Sequence, residues 1–383
     1  MVVQNPFPQD TRVRNEANAL VAAGYSVSVI AQVASRLNQP RRENVNGVEV
    51  YRVPFVDLFK KTADGEPGFF GRIALKIKSF LGYAIEYFYF TSASFLMLLV
   101  IFFRRGFDAI HAHNPPDTIF LAALPFRLIG KKFVFDHHDL SPELYMSRYG
   151  TSHGMITRCL RIAEWCSLKL ANVTIATNES YKAIQVERAR KKAETIFVVR
   201  NGPAVDKMTL VDPTPRLRAM NKTILVYIGC LNPQDGLDYL LRALRHLRYE
   251  LKREDFHCVI MGNGDSLEDL RKMCRELSLQ DCVEIPGYVP EAELKGNLAA
   301  ADICMDPDPS SPLNDVSTWI KIMEYMAYGK PIVSFDLKET RFSAQDAALF
   351  VPPNDEAAFA RATAELMDDP QRRAKMGAYG RSR

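Results

Sequence analysis

The sequence has 383 residues, 47% of them hydrophobic and 25% charged, with a formal net charge of +4. That balance excludes a largely disordered chain, and the small positive excess falls short of what a nucleic-acid binder carries. Seven cysteines form no Cys-x-x-Cys pair, which points to a reducing, cytoplasmic setting without disulfides or a structural zinc.

The chain opens on MVVQNPFPQD, the tail of a strand running into a loop rather than a signal peptide. Short β-branched runs predict strands at Val2–Val3, Ser26–Ala31, Val48–Val53, Ala109–Ala112, Lys132–Asp136, Val173–Ala176 and Ile196–Val199. Helical patterns such as Arg12–Ala23 and Ile156–Leu170 separate them, so βαβ units and a parallel sheet are expected. The rhythm resumes with strands at Thr223–Ile228, His257–Met261, Val283–Ile285, Ile303–Met305, Pro331–Phe335 and Leu349–Val351. Helices are expected there at Leu237–Arg248, Leu267–Leu277, Glu291–Ala299, Ser317–Tyr328 and Glu356–Met367. The proline-rich segment between the two series has no clean periodicity and reads as a connector. The division is therefore a first α/β domain over 1–202, a connector over 203–221 and a second α/β domain over 222–383.

Residues 69–105 break the rhythm. The stretch 87–103 is uncharged and lies near the lower limit of about 17 residues for a bilayer span. One reading is a long helix packed on the sheet, its dipole satisfied by Arg104 and Arg105. The other is a membrane-facing element, because Tyr83, Tyr87, Phe88, Tyr89 and Phe90 lie beside Arg72, Lys76 and Lys78. A true span is disfavoured, since the strand rhythm continues directly after it.

Chemistry concentrates in SPLNDVSTWIKIMEYMAYGKPIVS, residues 311–334. Asp315 or Ser317 is placed to cap the following helix. The first amides, at Ser317 and Thr318, would then offer an anion site at the helix tip, with Lys321 adding a cation one turn on. Glu324 follows roughly 10 Å along the axis from Ser317 at 1.5 Å per residue, where a carboxylate can accept two ribose hydroxyls. The competing reading is a capped amphipathic helix with a surface Lys–Glu pair. His111 and His113 fall at the end of a parallel strand and on one side of it, where open α/β sheets bind ligands. His113, followed by Asn114-Pro115-Pro116, is the stronger candidate, and His111 reads as structural. Asp136-His137-His138-Asp139 ends the next strand. It reads as helix capping and lining of a cleft rather than a metal site, because no distant His or Glu is evidently paired with it. Arg12 either binds an acceptor phosphate or pairs with Glu16 at i+4.

Lys321-x-x-Glu324-Tyr-Met-Ala-x-Gly329-Lys-Pro331 resembles the donor-site helix of the retaining family 4 glycosyltransferases with the GT-B fold. Asn201-Gly202, Tyr227-Ile228-Gly229, Met261-Gly262-Asn263-Gly264, Gly287-Tyr288-Val289 and Asp108-Ala-Ile-His111-Ala-His113 match that family's other motifs in order. The resemblance implies two Rossmann-like domains facing a central cleft and transfer of a sugar from a nucleotide diphosphate sugar with retention and without a metal. It also implies no cofactor and a glycan, polyprenyl- or lipid-linked acceptor, as in bacterial surface-polysaccharide enzymes, with work at the inner face of the plasma membrane. His113, Lys321 and Glu324 would be the catalytic group. The donor would meet Asn201, Gly229, Gly262, Asn263, Gly264, Tyr288, Asp315, Ser317 and Thr318, and the acceptor Arg12, His137, His138 and Asp139. Two departures stand out. Val316 occupies the place of a second Glu, and Cys230 and Asp235 occupy the places of an Arg and a Lys. They keep open a non-catalytic nucleotide-sugar-binding protein, beside a sugar-nucleotide epimerase of the same fold. The family's last helix, which crosses back onto the first domain, is not expected before residue 383.

Overall fold

The computed structural model describes residues 1–33, 39–54, 69–149, 154–203, 208 and 211–383. Two compact units emerge, one comprising Met1–Leu144 with Thr151–Val199, the other Arg200–Arg383 with Tyr145–Gly150. Each is built on a parallel sheet, as the strand–helix alternation predicts.

The first unit contains β1 (Val2–Pro6), β2 (Ser28–Gln32), β3 (Arg42–Val45), β4 (Val48–Val53), β5 (Ala109–His113), β6 (Lys132–His137), β7 (Val173–Ala176) and β8 (Ile196–Val198). Their order is β3-β4-β2-β1-β5-β6-β7-β8. Among the described residues only the β3–β4 pair is antiparallel. Its turn is Asn46-Gly47, both with positive φ (52° and 86°), the geometry of a tight hairpin. Alternation sends Val2 and Ile30 into one apolar layer and Val3, Val29 and Ala31 into the other. The order reverses between β1 and β5, which makes the carboxyl ends of these strands the switch point.

The helix Phe69–Arg105 precedes β5. Phe90, Leu98 and Ile101 form its buried stripe, packed in one cluster with Ile110, Phe126 and Phe133. The opposite side is open, with Phe88 71%, Leu96 62% and Phe103 81% exposed. Its segment Ala84–Arg105 has a mean hydropathy of 1.7, enough by length and composition to cross a membrane. The helix thus buries one apolar stripe and leaves apolar side chains exposed on the opposite side. Arg72, Lys76, Lys78 and Tyr83 have side chains outside the described part.

The second unit contains β9 (Thr223–Cys230), β10 (Phe256–Asn263), β11 (Val283–Gly287), β12 (Ile303–Asp306), β13 (Ile332–Phe335) and β14 (Ala348–Val351). The order is β11-β10-β9-β12-β13-β14, all parallel. The switch point lies between β9 and β12. Leu225 and Tyr227 on β9 enter one apolar layer, and Ile224, Val226 and Ile228 the other. Helices Glu356–Asp368 and Pro370–Ser382 follow β14. The last packs so closely on Gly329 that a Cβ at Gly377 would lie 2.0 Å from the Gly329 carbonyl oxygen.

Lys330, just before β13, donates from Nζ to the carbonyls of Ala299 (2.7 Å) and Ala301 (2.8 Å) at the end of helix Glu291–Ala300. An ammonium there satisfies orphan carbonyls and complements the dipole. Lys330→Met is therefore expected to cost about 1–2 kcal/mol, read as a lower urea midpoint with unchanged slope. An unchanged midpoint would place this cation outside the stabilising contacts.

Candidate functional site

In the second unit the helix carrying Lys321 and Glu324 begins later than the sequence suggests. It spans Ile320–Ala327, with Trp319 extended at the cap position and no side-chain cap. The preceding residues are consumed by a separate turn at Asn314–Val316. Asn314 fixes that turn by donating to the carbonyls of Gln234 (2.8 Å) and Pro309 (2.9 Å). Asp315 accepts from Ser310, Ser317 donates from Oγ to Leu313 O, and the Ser317 amide donates to Asn314 O. Neither Asp315 nor Ser317 caps the helix, and the dipole tip lies at Trp319–Lys321, not at Ser317 and Thr318.

Lys321 is buried, and its Nζ meets Asp308 at 2.7 Å and Asp306 at 3.2 Å. It also sits 4.9 Å above the Tyr227 ring. Burial disfavours its charge, but Asp308, Tyr227 and Asp306 outweigh that and hold the ammonium well above its ordinary range. Burial in turn pushes Asp308 up. Sequence reasoning places Lys321 free for an anion; the structure locks it in a cluster at the end of β12. Asp306 and Asp308 escape sequence reasoning because Asp306-Pro307-Asp308 reads as a solvated loop until the fold packs Lys321 against it. Glu324, one turn on, is half-buried, and burial raises its pKa. Tyr325 fixes the helix by accepting from the Ile228 amide (3.0 Å) and contacting the Met305 carbonyl (3.3 Å).

The glycine-bearing loops after β9 and β10 converge beside this helix. A Cβ at Gly262 would fall 1.8 Å from the Gly229 carbonyl oxygen, and one at Gly264 2.4 Å from that of Leu231. Only glycine permits such approach. Asn263 accepts from the Gly264 amide (3.0 Å), and Tyr288 is 80% exposed just beyond β11. Gly202 faces the Met323 sulfur, which brings Asn201-Gly202 to the same helix. Asp235, where the family has a cation, is buried and accepts from the Asn232 amide (3.0 Å), closing its own turn.

In the first unit the β5–β6 register pairs His113 with Asp136. The pair lies next to the β1–β5 switch point. Asp136 Oδ2 has His113 Nδ1 at 3.2 Å, His138 Nε2 at 3.3 Å and His111 Nε2 at 3.6 Å. Glu16 on helix Thr11–Ala22 faces the same rings, 3.7 Å from His111 and 3.8 Å from His113. The distant partners that the sequence did not reveal for this run are therefore present. Burial, then His111, presses the His113 pKa down to about 3, so its ring is neutral. Burial opposes ionisation of Asp136, but His138, His111 and His113 outweigh it and keep the carboxylate charged. Burial and Asp136 together raise Glu16. Asn114 holds the loop by accepting from the His138 amide (2.7 Å) and donating to the Asp139 carbonyl (2.7 Å). Arg12 pairs with Asp10 (3.1 Å), which also caps its helix, rather than with Glu16.

His137 does not join this group. One residue along the strand, it points to the other face, is fully buried and meets Glu164 at 3.2 Å. Glu164 also takes Arg188 (3.0 Å), which reaches Glu143 (2.6 Å). The acceptor-lining role expected of His137 thus gives way to an internal ion pair. Burial disfavours its charge, but Glu164 outweighs it and raises the pKa. A raised folded value stabilises fully below the unfolded pKa of about 6.5, and the benefit is lost as pH rises through the folded value. His137→Gln should therefore lose more stability at about pH 6 than at about pH 9. Urea midpoints at both pH values check this, and equal losses would mean a neutral ring.

Residues 9–207 match the family described as Glycosyltransferase Family 4, and residues 222–369 match Glycosyl transferases group 1. The chain belongs to glycosyltransferase family 4. Among curated proteins, the phosphatidylinositol N-acetylglucosaminyltransferase GPI3 subunit of Saccharomyces cerevisiae is 23% identical over 290 residues. That match covers 74% of this chain and 56% of the yeast protein, so the chain spans little over half the length of that relative. The sucrose-phosphate synthase of Thermosynechococcus elongatus superposes with a TM-score of 0.69 at 20% identity, covering 98% of this chain and 88% of that one. HepE of Anabaena in complex with UDP-glucose gives 0.67 at 16%, covering 100% and 92%. The likeness shows the fold, GT-B, with its two Rossmann-like parallel-sheet domains.

Proposed function

We propose that this chain is a glycosyltransferase. It moves a sugar from a nucleotide diphosphate sugar to a glycan or lipid-linked acceptor, with retention of configuration. The observation that carries the reading is the helix Ile320–Ala327 at the second switch point, with Lys321 and Glu324 beside glycines that admit a close ligand. Residues 222–383 hold the donor, and residues 1–202 the acceptor. The diphosphate sits at the helix tip, where backbone amides stabilise the leaving charge without a metal ion at that end, while Lys321, held by Asp308 and Asp306, fixes the start of the helix. Glu324 accepts from the ribose hydroxyls. Asn201, Gly229, Gly262, Asn263 and Gly264 shape the pocket and Tyr288 covers the base. Neutral His113 offers a hydrogen bond to the transferred sugar, and Arg12 and Asp139 line the acceptor path, whereas the buried His138 ring packs on Asp136 instead. The complex of HepE with UDP-glucose supports a nucleotide-sugar donor.

Thermal melts with UDP, GDP and ADP and their sugar derivatives test this. One base series should raise Tm, by an amount equivalent to about 2.7 kcal/mol at a hundredfold excess over Kd. Glu324→Ala should weaken that ligand about tenfold to a hundredfold, the loss of a charged hydrogen-bond acceptor. Because burial raises the Glu324 pKa, binding should also fall on acidification while the pH is still above about 4.3, the ordinary Glu value. No shift from any base would sink the donor reading. Binding without turnover across an acceptor panel would favour the non-catalytic alternative.

The protein works at the cytoplasmic surface of a membrane. The exposed Phe88, Leu96 and Phe103 of helix Phe69–Arg105, with the exposed Leu128 and Ile129 at the end of the adjoining helix Phe120–Leu128, form the apolar face. Arg104 and Arg105 supply cations at its edge. Phe88→Ser, Leu96→Ser and Phe103→Ser together should abolish co-sedimentation with anionic vesicles at unchanged Tm. Retained binding would assign membrane contact elsewhere.

A further inference from the structure

We propose that the first unit binds one divalent transition-metal ion between His113, Asp136 and His138, with Glu16 as the fourth ligand. His113 Nδ1, His138 Nε2 and Asp136 Oδ2 form a triangle with sides of 3.1, 3.2 and 3.3 Å. In a tetrahedral site with bonds of about 2.0–2.1 Å, ligand atoms lie about 3.3–3.4 Å apart. The three atoms are therefore spaced as a zinc-like ion requires. One ligand atom of Glu16 completes a set of four lying within 4.8 Å of one another.

Hydrogen bonding alone does not account for the arrangement. Asp136 is fully buried, yet among the described residues neither of its oxygens receives a hydrogen bond of proper geometry, although three ring nitrogens crowd Oδ2. A buried carboxylate left so is costly. The nitrogen–oxygen set suits zinc and its first-row neighbours and is poor for magnesium or calcium, which take oxygens.

The scaffold is in place around it. Period two puts Asp136 and His138 on one side of the β6 segment, and the register sets His113 beside Asp136. Asn114 ties down the loop bearing His138. His111 stacks on His113 with centroids 4.4 Å apart, fixing the ring from behind. Binding through Nδ1 leaves His113 Nε2 for another partner. The ion would lock helix Thr11–Ala22 to the ends of β5 and β6.

The test uses the full chain without an affinity tag, stripped by chelator and then dialysed against Zn2+ or Mg2+. One equivalent of zinc per chain and a raised Tm are expected, with no effect of magnesium at equal concentration. His138→Gln and Glu16→Gln, each verified as folded by circular dichroism, should weaken zinc by more than the 10–100-fold typical of outer-shell partners. Cys159→Ser with Cys230→Ser removes the exposed thiols and should leave the affinity unchanged. Zinc binding that is absent, that survives His138→Gln and Glu16→Gln, or that is lost with the thiols would overturn the proposal.

Discussion

A charge withdrawn from water must find its counter-charge inside the protein, and this requirement organises both sheets. In the second unit Lys321 is neutralised by Asp308 and Asp306 where β12 ends. In the first, Glu164 joins His137 to Arg188 behind the sheet, while on the other side three histidine rings crowd Asp136 without supplying a full counter-charge. Removing one member of such a group strands the others, at about 3–5 kcal/mol. The Lys321 and Asp136 groups lie at or next to the points where strand order reverses, so they are among the polar residues that a ligand there would meet.

The strand and helix rhythm is legible because buried parallel strands must be β-branched and continuous, as in Thr223-Ile-Leu-Val-Tyr-Ile228. β3 escapes, since Arg42-Glu43-Asn44-Val45 lies at an edge and needs no apolar face. Its one signal is the Asn46-Gly47 turn. The helix at Ile320 reads three residues early in the sequence, because Asp315 and Ser317 have cap chemistry but spend it on a turn of their own.

The site is legible in its parts and not in its pairings. Lys321 and Glu324 lie one turn apart on any helix, so sequence spacing suffices to associate them. The partners of Lys321 lie on the preceding strand end, and those of Asp136 on a neighbouring strand and helix. Only register and packing bring these together. His137 and His138 are adjacent in sequence and opposite in space; period two predicts the split, but not that the far side conceals a carboxylate in Glu164.

The last helix shows how remote residues bear on the helix of Lys321. Gly377 has the Gly329 carbonyl where its side chain would be, and a Cβ at Gly380 would meet Ala347 at 3.0 Å and Met326 at 3.3 Å. Helix Pro370–Ser382 thus acts as a gauge block. Its bare surface sets how far the carboxyl end of helix Ile320–Ala327 stands from it. Any larger residue at these two positions widens that spacing and tilts the helix of Lys321, so its alignment is inherited from residues with no chemistry of their own.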